Sequence, residues 1–174
     1  MKEIESVLDW KKNDYHPVVA LPDNYSVLDL SVNPWTPSKT EFSIGKYDEV
    51  RPDMYTTPIF EGVRNIHVGL DINGPIGTPC MAFADGKITH FGYNSEPGDY
   101  GYVIITNHNI SGINIWALYG HLSSDSVVGA TSSNQNLSQL SKIFGQFFSP
   151  TRVLFNMTSP GLNAKTVESI WLDR

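Results

Sequence analysis

Little in this chain settles its function at a glance, and what it lacks narrows the field. It has one cysteine, Cys80, in 174 residues, which excludes an internal disulfide framework and a multi-cysteine zinc site. Basic residues are scarce: 12 Lys and Arg stand against 18 Asp and Glu, a formal net charge of −6. No basic run offsets that deficit, and phosphate contacts need clustered cations, so nucleic acid is not an expected partner. No apolar stretch approaches the roughly 18 residues needed to span a bilayer, so no membrane partner is expected. The opening residues Met1 to Trp10 carry no apolar signal-peptide segment, which makes the cytoplasm the default location. There is no internal repeat, and no histidine follows His121.

What is present suggests one domain, since 40% hydrophobic content over this length can fill a core. Three stretches differ in character. In residues 1–60, Ile4, Val7, Leu8 and Trp10 have rough helical spacing, which predicts a short amphipathic helix. Pro17, Pro22, Pro34 and Pro37 then break any longer helix, leaving extended arms that pack on a core. Residues 61–128 read as that core. Segments 66–72, 79–83, 87–93, 100–107 and 113–120 are rich in β-branched and aromatic residues and bounded by turn formers. Ala84-Asp85-Gly86 is a hairpin signal, and His108 to Gly112 reads as the next turn. Consecutive strands without intervening helices predict an antiparallel, mainly β fold.

Residues 129–174 change composition, becoming dense in Ser, Thr, Asn and Gln. Residues 1–128 carry 8 basic and 16 acidic side chains, a net of −8, whereas 129–174 carry 4 and 2, a net of +2. This last stretch is expected to be an atypical tail, distinct from the core.

His67-Val-Gly-Leu-Asp71 is the first chemical candidate, because imidazole and carboxylate are both ligand types for a hydrolytic zinc. On a straight strand the two Cα atoms would be about 13 Å apart. A bend must bring the side chains together, and Gly69 permits one. By composition alone the pair also fits a surface histidine and a turn aspartate, since five histidines and eleven aspartates produce such spacings by chance. His121 ends the apolar run from Ile113, where a histidine can do acid–base work or polarise a carbonyl, or simply be a satisfied structural residue. His108 reads as a turn-capping residue. His16 and His90 have no visible partners, and Cys80 reads as a small core residue.

Taken in order, His67-Val-Gly-Leu-Asp71-Ile, Gly77-Thr-Pro79, Ala82, Asp85-Gly86, Gly98-Asp-Tyr-Gly101, Val103-Ile-Ile105, His108 and Leu118-Tyr-Gly-His121-Leu-Ser123 resemble the lysostaphin/LytM-type zinc metallopeptidases. The resemblance covers roughly residues 60–124, with a weaker hint over Tyr47 to Phe60. It implies an antiparallel sheet or barrel-like sandwich of the duplicated-hybrid-motif type, one zinc, and hydrolysis of peptide bonds by metal-activated water. A peptide or peptidoglycan-like substrate is the implied partner. His67 and Asp71 match the first two zinc ligands of that family, and His121 matches a catalytic histidine. The family's final hallmark, a His-x-His strand that supplies the third ligand and a second catalytic histidine, has no counterpart through Arg174. The expectation is therefore a zinc endopeptidase-like domain with impaired activity; the alternative is a non-catalytic binding or regulatory module. Loss of that final strand is also expected to leave a sheet edge exposed.

Overall fold

The computed structural model describes residues 13–126 and, of the later chain, strands over 136–137, 143–146 and 151–157. The helix expected near the N-terminus lies outside the described residues. Three long strands form the centre: β7 (Gly86–Asn94), β8 (Gly101–Ile110) and β9 (Ile113–Leu122). β8 pairs antiparallel with both neighbours. The β8–β9 turn is shorter than expected, just Ser111 and Gly112, each with positive φ (50° and 85°). That conformation matches the right-handed twist of the flanking strands, and glycine adopts it at no steric cost.

His108 accordingly lies within β8, not in a turn. Alternation sends Ile104, Thr106, His108 and Ile110 to one side of β8, where Ile115, Ala117 and Tyr119 of β9 meet them. Cys80, Phe83 and Ile88 complete this core. Val103, Ile105 and Leu118, with Tyr100 and Trp116, form a smaller cluster on the other face. Burial on two faces explains why β8 and β9 read as nearly continuous apolar runs.

The remaining strands extend this meander. β1 (Ser26–Leu28), β2 (Ser43–Gly45), β5 (Leu70–Asn73), β10 (Asn136–Leu137) and β12 (Thr151–Met157) join it in an eight-stranded sheet of order β1-β2-β5-β12-β9-β8-β7-β10. All its pairings are antiparallel except β1–β2, which is parallel. β3 (Glu49–Val50) pairs with β4 (Ile66–His67), and β6 (Pro79–Met81) with β11 (Ile143–Gln146), in two small sheets. Ahead of the first strand, the Val18 carbonyl accepts from Met81 N, and His16 N donates to the Phe83 carbonyl.

One expectation is corrected. β5 and β9 are not left with bare edges, because β12 lies between them and pairs with both. The stretch that reads as an atypical tail supplies a central strand.

Candidate metal centre

The site begins with a break in a strand. His67 ends β4, which pairs with β3, whereas Asp71 lies in β5, which belongs to the large sheet. Val68 and Gly69 carry the chain from one sheet to the other. This change of direction folds the two side chains toward each other, with His67 Nε2 at 3.4 Å from Asp71 Oδ1. Two donors on one tetrahedral zinc, each about 2.0 Å from the metal, are about 3.3 Å apart. Both residues are buried.

Asp71 has a second partner that the sequence did not announce. Arg51 Nη1 donates to Asp71 Oδ2 at 2.5 Å, and Arg51 Nε donates to Glu49 Oε2 at 3.0 Å. The guanidinium is 1% exposed. Burial alone would lower the pKa of Arg51, but the Asp71 carboxylate, together with Tyr55 and Glu49, offsets that and holds it above its ordinary value. Glu49 is held in turn by the Leu30 amide, 3.0 Å from Oε1, and by the Lys46 ammonium at 3.3 Å.

Room for the guanidinium comes from Gly45, the residue opposite Asp71 in β2. A Cβ there would lie 2.8 Å from Arg51 Nη2 and 3.2 Å from Asp71 Cβ. The result is a buried relay of alternating charge, Glu49–Arg51–Asp71, with His67 at one end and half-exposed Lys46 at the other. A lone arginine in a proline-rich stretch has no periodic signature. The only hint was its close spacing to an acidic residue, Glu49-Val-Arg51.

His121 is placed by a second irregularity. Tyr102 pairs with Leu122 and Ile104 with Tyr119, so β9 carries one extra residue, a bulge at Gly120-His121. His121 has φ 56°, in the left-handed region. Without the bulge, alternation would put His121 on the core side with Tyr119; the extra residue instead returns Leu122 to the core. His121 meets the Tyr100 ring edge-on at 6.4 Å, and Tyr100 belongs to the cluster on the opposite face. Asp71, which alternates with core residue Ile72, faces that way too. β5 and β9 flank β12, so their backbones are about 10 Å apart. His67 and Asp71 thus converge, and His121 stands beyond β12 at the same end of the sheet.

The other sequence candidates are structural. His108 Nδ1 donates to the Asp85 carbonyl at 2.9 Å, and its Nε2 accepts from the Thr106 hydroxyl at 2.6 Å. Burial of Cys80 pushes its thiol up to about 12, which makes it inert. His90 is exposed on β7.

The donor set does not amount to a complete zinc centre. His67 and Asp71 have suitable spacing, but Arg51 already holds one oxygen of the carboxylate. Among the described residues no group of three or more His, Cys, Asp or Glu side chains is disposed to hold a metal ion. β12, which passes directly beside Asp71 with Arg152 in register opposite it, has the sequence Thr-Arg-Val-Leu-Phe-Asn-Met and none of those residue types.

Comparison with known proteins gives a family match and a structural one. The family model for peptidase family M23 matches residues 65–143, a span that runs past residue 128 into the later chain. Among solved structures, the NMR solution structure of lysostaphin is similar at 21% identity with a TM-score of 0.47. That similarity covers 71% of this chain and 46% of lysostaphin, so the chain spans less than half of that protein's length. No curated protein matches.

Proposed function

We infer that the chain, whose residues 65–143 match the model for peptidase family M23, is a zinc-metalloendopeptidase-like protein whose metal centre is incomplete and whose peptide-bond hydrolysis is impaired. The observation that carries this reading is the 3.4 Å approach of His67 Nε2 to Asp71 Oδ1 with no third ligating side chain beside them among the described residues. The family's chemistry needs a zinc held by three protein ligands. In this reading His67 and Asp71 would supply two, and their 3.4 Å approach supports it. His121, on the same face, is suited to hydrogen-bond a peptide carbonyl or to move a proton at the leaving nitrogen. The expected substrate class is a peptide or a peptidoglycan cross-link.

The test is metal analysis joined to hydrolysis. Purified protein should retain less than one equivalent of zinc after dialysis. Cleavage of a mixed peptide library and of cell-wall cross-links, read by mass spectrometry, should be at least about 100-fold below an ordinary turnover of about 10 s⁻¹. His67→Ala should abolish what remains. One tightly held zinc per chain with ordinary turnover would overturn the reading.

A second reading, a non-catalytic binding or regulatory module, is supported by β12. A strand without His, Cys, Asp or Glu completes the sheet, so the scaffold can persist where hydrolysis does not. Uncleaved peptide retained on immobilised protein, with no product formed, would favour it.

A further inference from the structure

The geometry points to Arg51 as a resident cation that takes over, at Asp71, the charge-neutralising part a metal would play. This inference rests on the incomplete-centre reading above, and adds to it that the corner is built to be stable without metal. Three independent features support it. First, the guanidinium is committed at both ends, with Nη1 on Asp71 Oδ2 and Nε on Glu49 Oε2. Arg51 is therefore a fixed element of the corner. Second, Gly45 is the only residue type that leaves its space open, since any Cβ there would crowd both Arg51 and Asp71. Third, both buried carboxylates contact a cation: Asp71 meets Arg51, and Glu49 meets Arg51 and Lys46, the latter also bridging to exposed Asp29. A divalent cation brought to His67 and Asp71 would sit within a few ångströms of a fixed positive charge in a poorly screened setting, where like charges repel strongly.

The arrangement differs from one in which an arginine merely orients a metal-ligating carboxylate. An orienting group would leave the corner dependent on metal for charge balance. A resident cation makes it independent, and its removal should create a demand for metal.

Thermal melting of the full chain, in chelator and in excess zinc, separates the two. The wild-type Tm should agree within about 1 °C in the two buffers. Arg51→Gln leaves Asp71 and Glu49 without their shared cation and should melt about 10 °C lower in chelator. Zinc should recover several degrees of that loss, and the recovery should vanish in Arg51→Gln/His67→Ala. Arg51→Lys keeps the charge but not the planar fork, so it should fall between and gain nothing from zinc. If Arg51→Gln proves too unstable to purify in chelator, its folded yield on refolding with zinc replaces the melt. A wild-type Tm that rises with zinc by several degrees, an Arg51→Gln protein that melts like wild type, or a loss zinc does not repair would each overturn the proposal. Hydrolysis assays read the function; these melts, in which no substrate is present, read Arg51 alone.

Discussion

At the scale of single residues, His108 shows how a buried imidazole can be chemically complete without being a site. The Asp85 carbonyl can only accept, so Nδ1 carries the hydrogen and Nε2 is free to accept from Thr106. Both nitrogens are thereby satisfied in the neutral ring, which also packs against Phe83 at 4.2 Å between centroids. Gly86 opposite is needed, because a Cβ there would meet the imidazole at 2.5 Å. Burial pushes the pKa of His108 below its ordinary 6.5, with the Asp85 carbonyl only partly offsetting it. The unfolded chain therefore binds the proton more readily than the folded one. Stability from this residue is fully present above about pH 6.5 and is lost as pH falls through the lowered folded value. We expect the unfolding free energy of wild type to drop between about pH 7 and pH 5 more steeply than that of His108→Gln, by up to about 1.4 kcal/mol per pH unit. Urea titrations across that range measure the two slopes. Parallel slopes would show that some other group carries the acid sensitivity.

At the scale of elements, two breaks in regularity shape the site, and only one was readable beforehand. Bringing His67 and Asp71 onto one ion demanded a bend, and Gly69 lay where a bend could occur; the structure changes sheets there. The Gly120-His121 bulge was not readable, because Leu-Tyr-Gly-His-Leu continues an apolar strand as well as it interrupts one. His108 was misplaced for a related reason: Asn107-His-Asn109 looks like a turn, and only the pairing of β8 with β9 shows that His108 takes an inward position. Arg51 was invisible because its significance depends on a partner twenty residues away in another sheet. The bulge also carries a backbone cost, since a non-glycine residue at φ 56° is strained by roughly 1 kcal/mol. Comparing His121→Gly with His121→Ala isolates that cost, as both remove the imidazole. The glycine variant should be the more stable by about 1 kcal/mol in chemical denaturation. A glycine variant less stable than the alanine one would mean that His121 does not hold the left-handed conformation.

At the scale of the whole molecule, β12 decides whether there is one sheet or two. Among the described strands it alone joins β1-β2-β5, which carries Asp71, to β9-β8-β7, which carries His121. Remove it and the two halves of the candidate site lose their common frame, while β5 and β9 acquire open edges that invite pairing with other chains. Composition made the tail look foreign to the core, because its polar bias was summed over the whole stretch and hid the short apolar run Val153-Leu-Phe155. Leu154 pairs with Leu118 near the middle of β9. Leu154→Pro would remove a backbone N–H in a central strand, at a cost of about 3 kcal/mol or more, a large share of the total stability of about 5–15 kcal/mol typical of a domain. Deleting residues 129–174 should be worse: the protein should elute as soluble aggregate or fail to melt cooperatively by circular dichroism. A deletion variant that stays monomeric and melts at the wild-type temperature would show that β12 is an appendage and that the core strands stand without it.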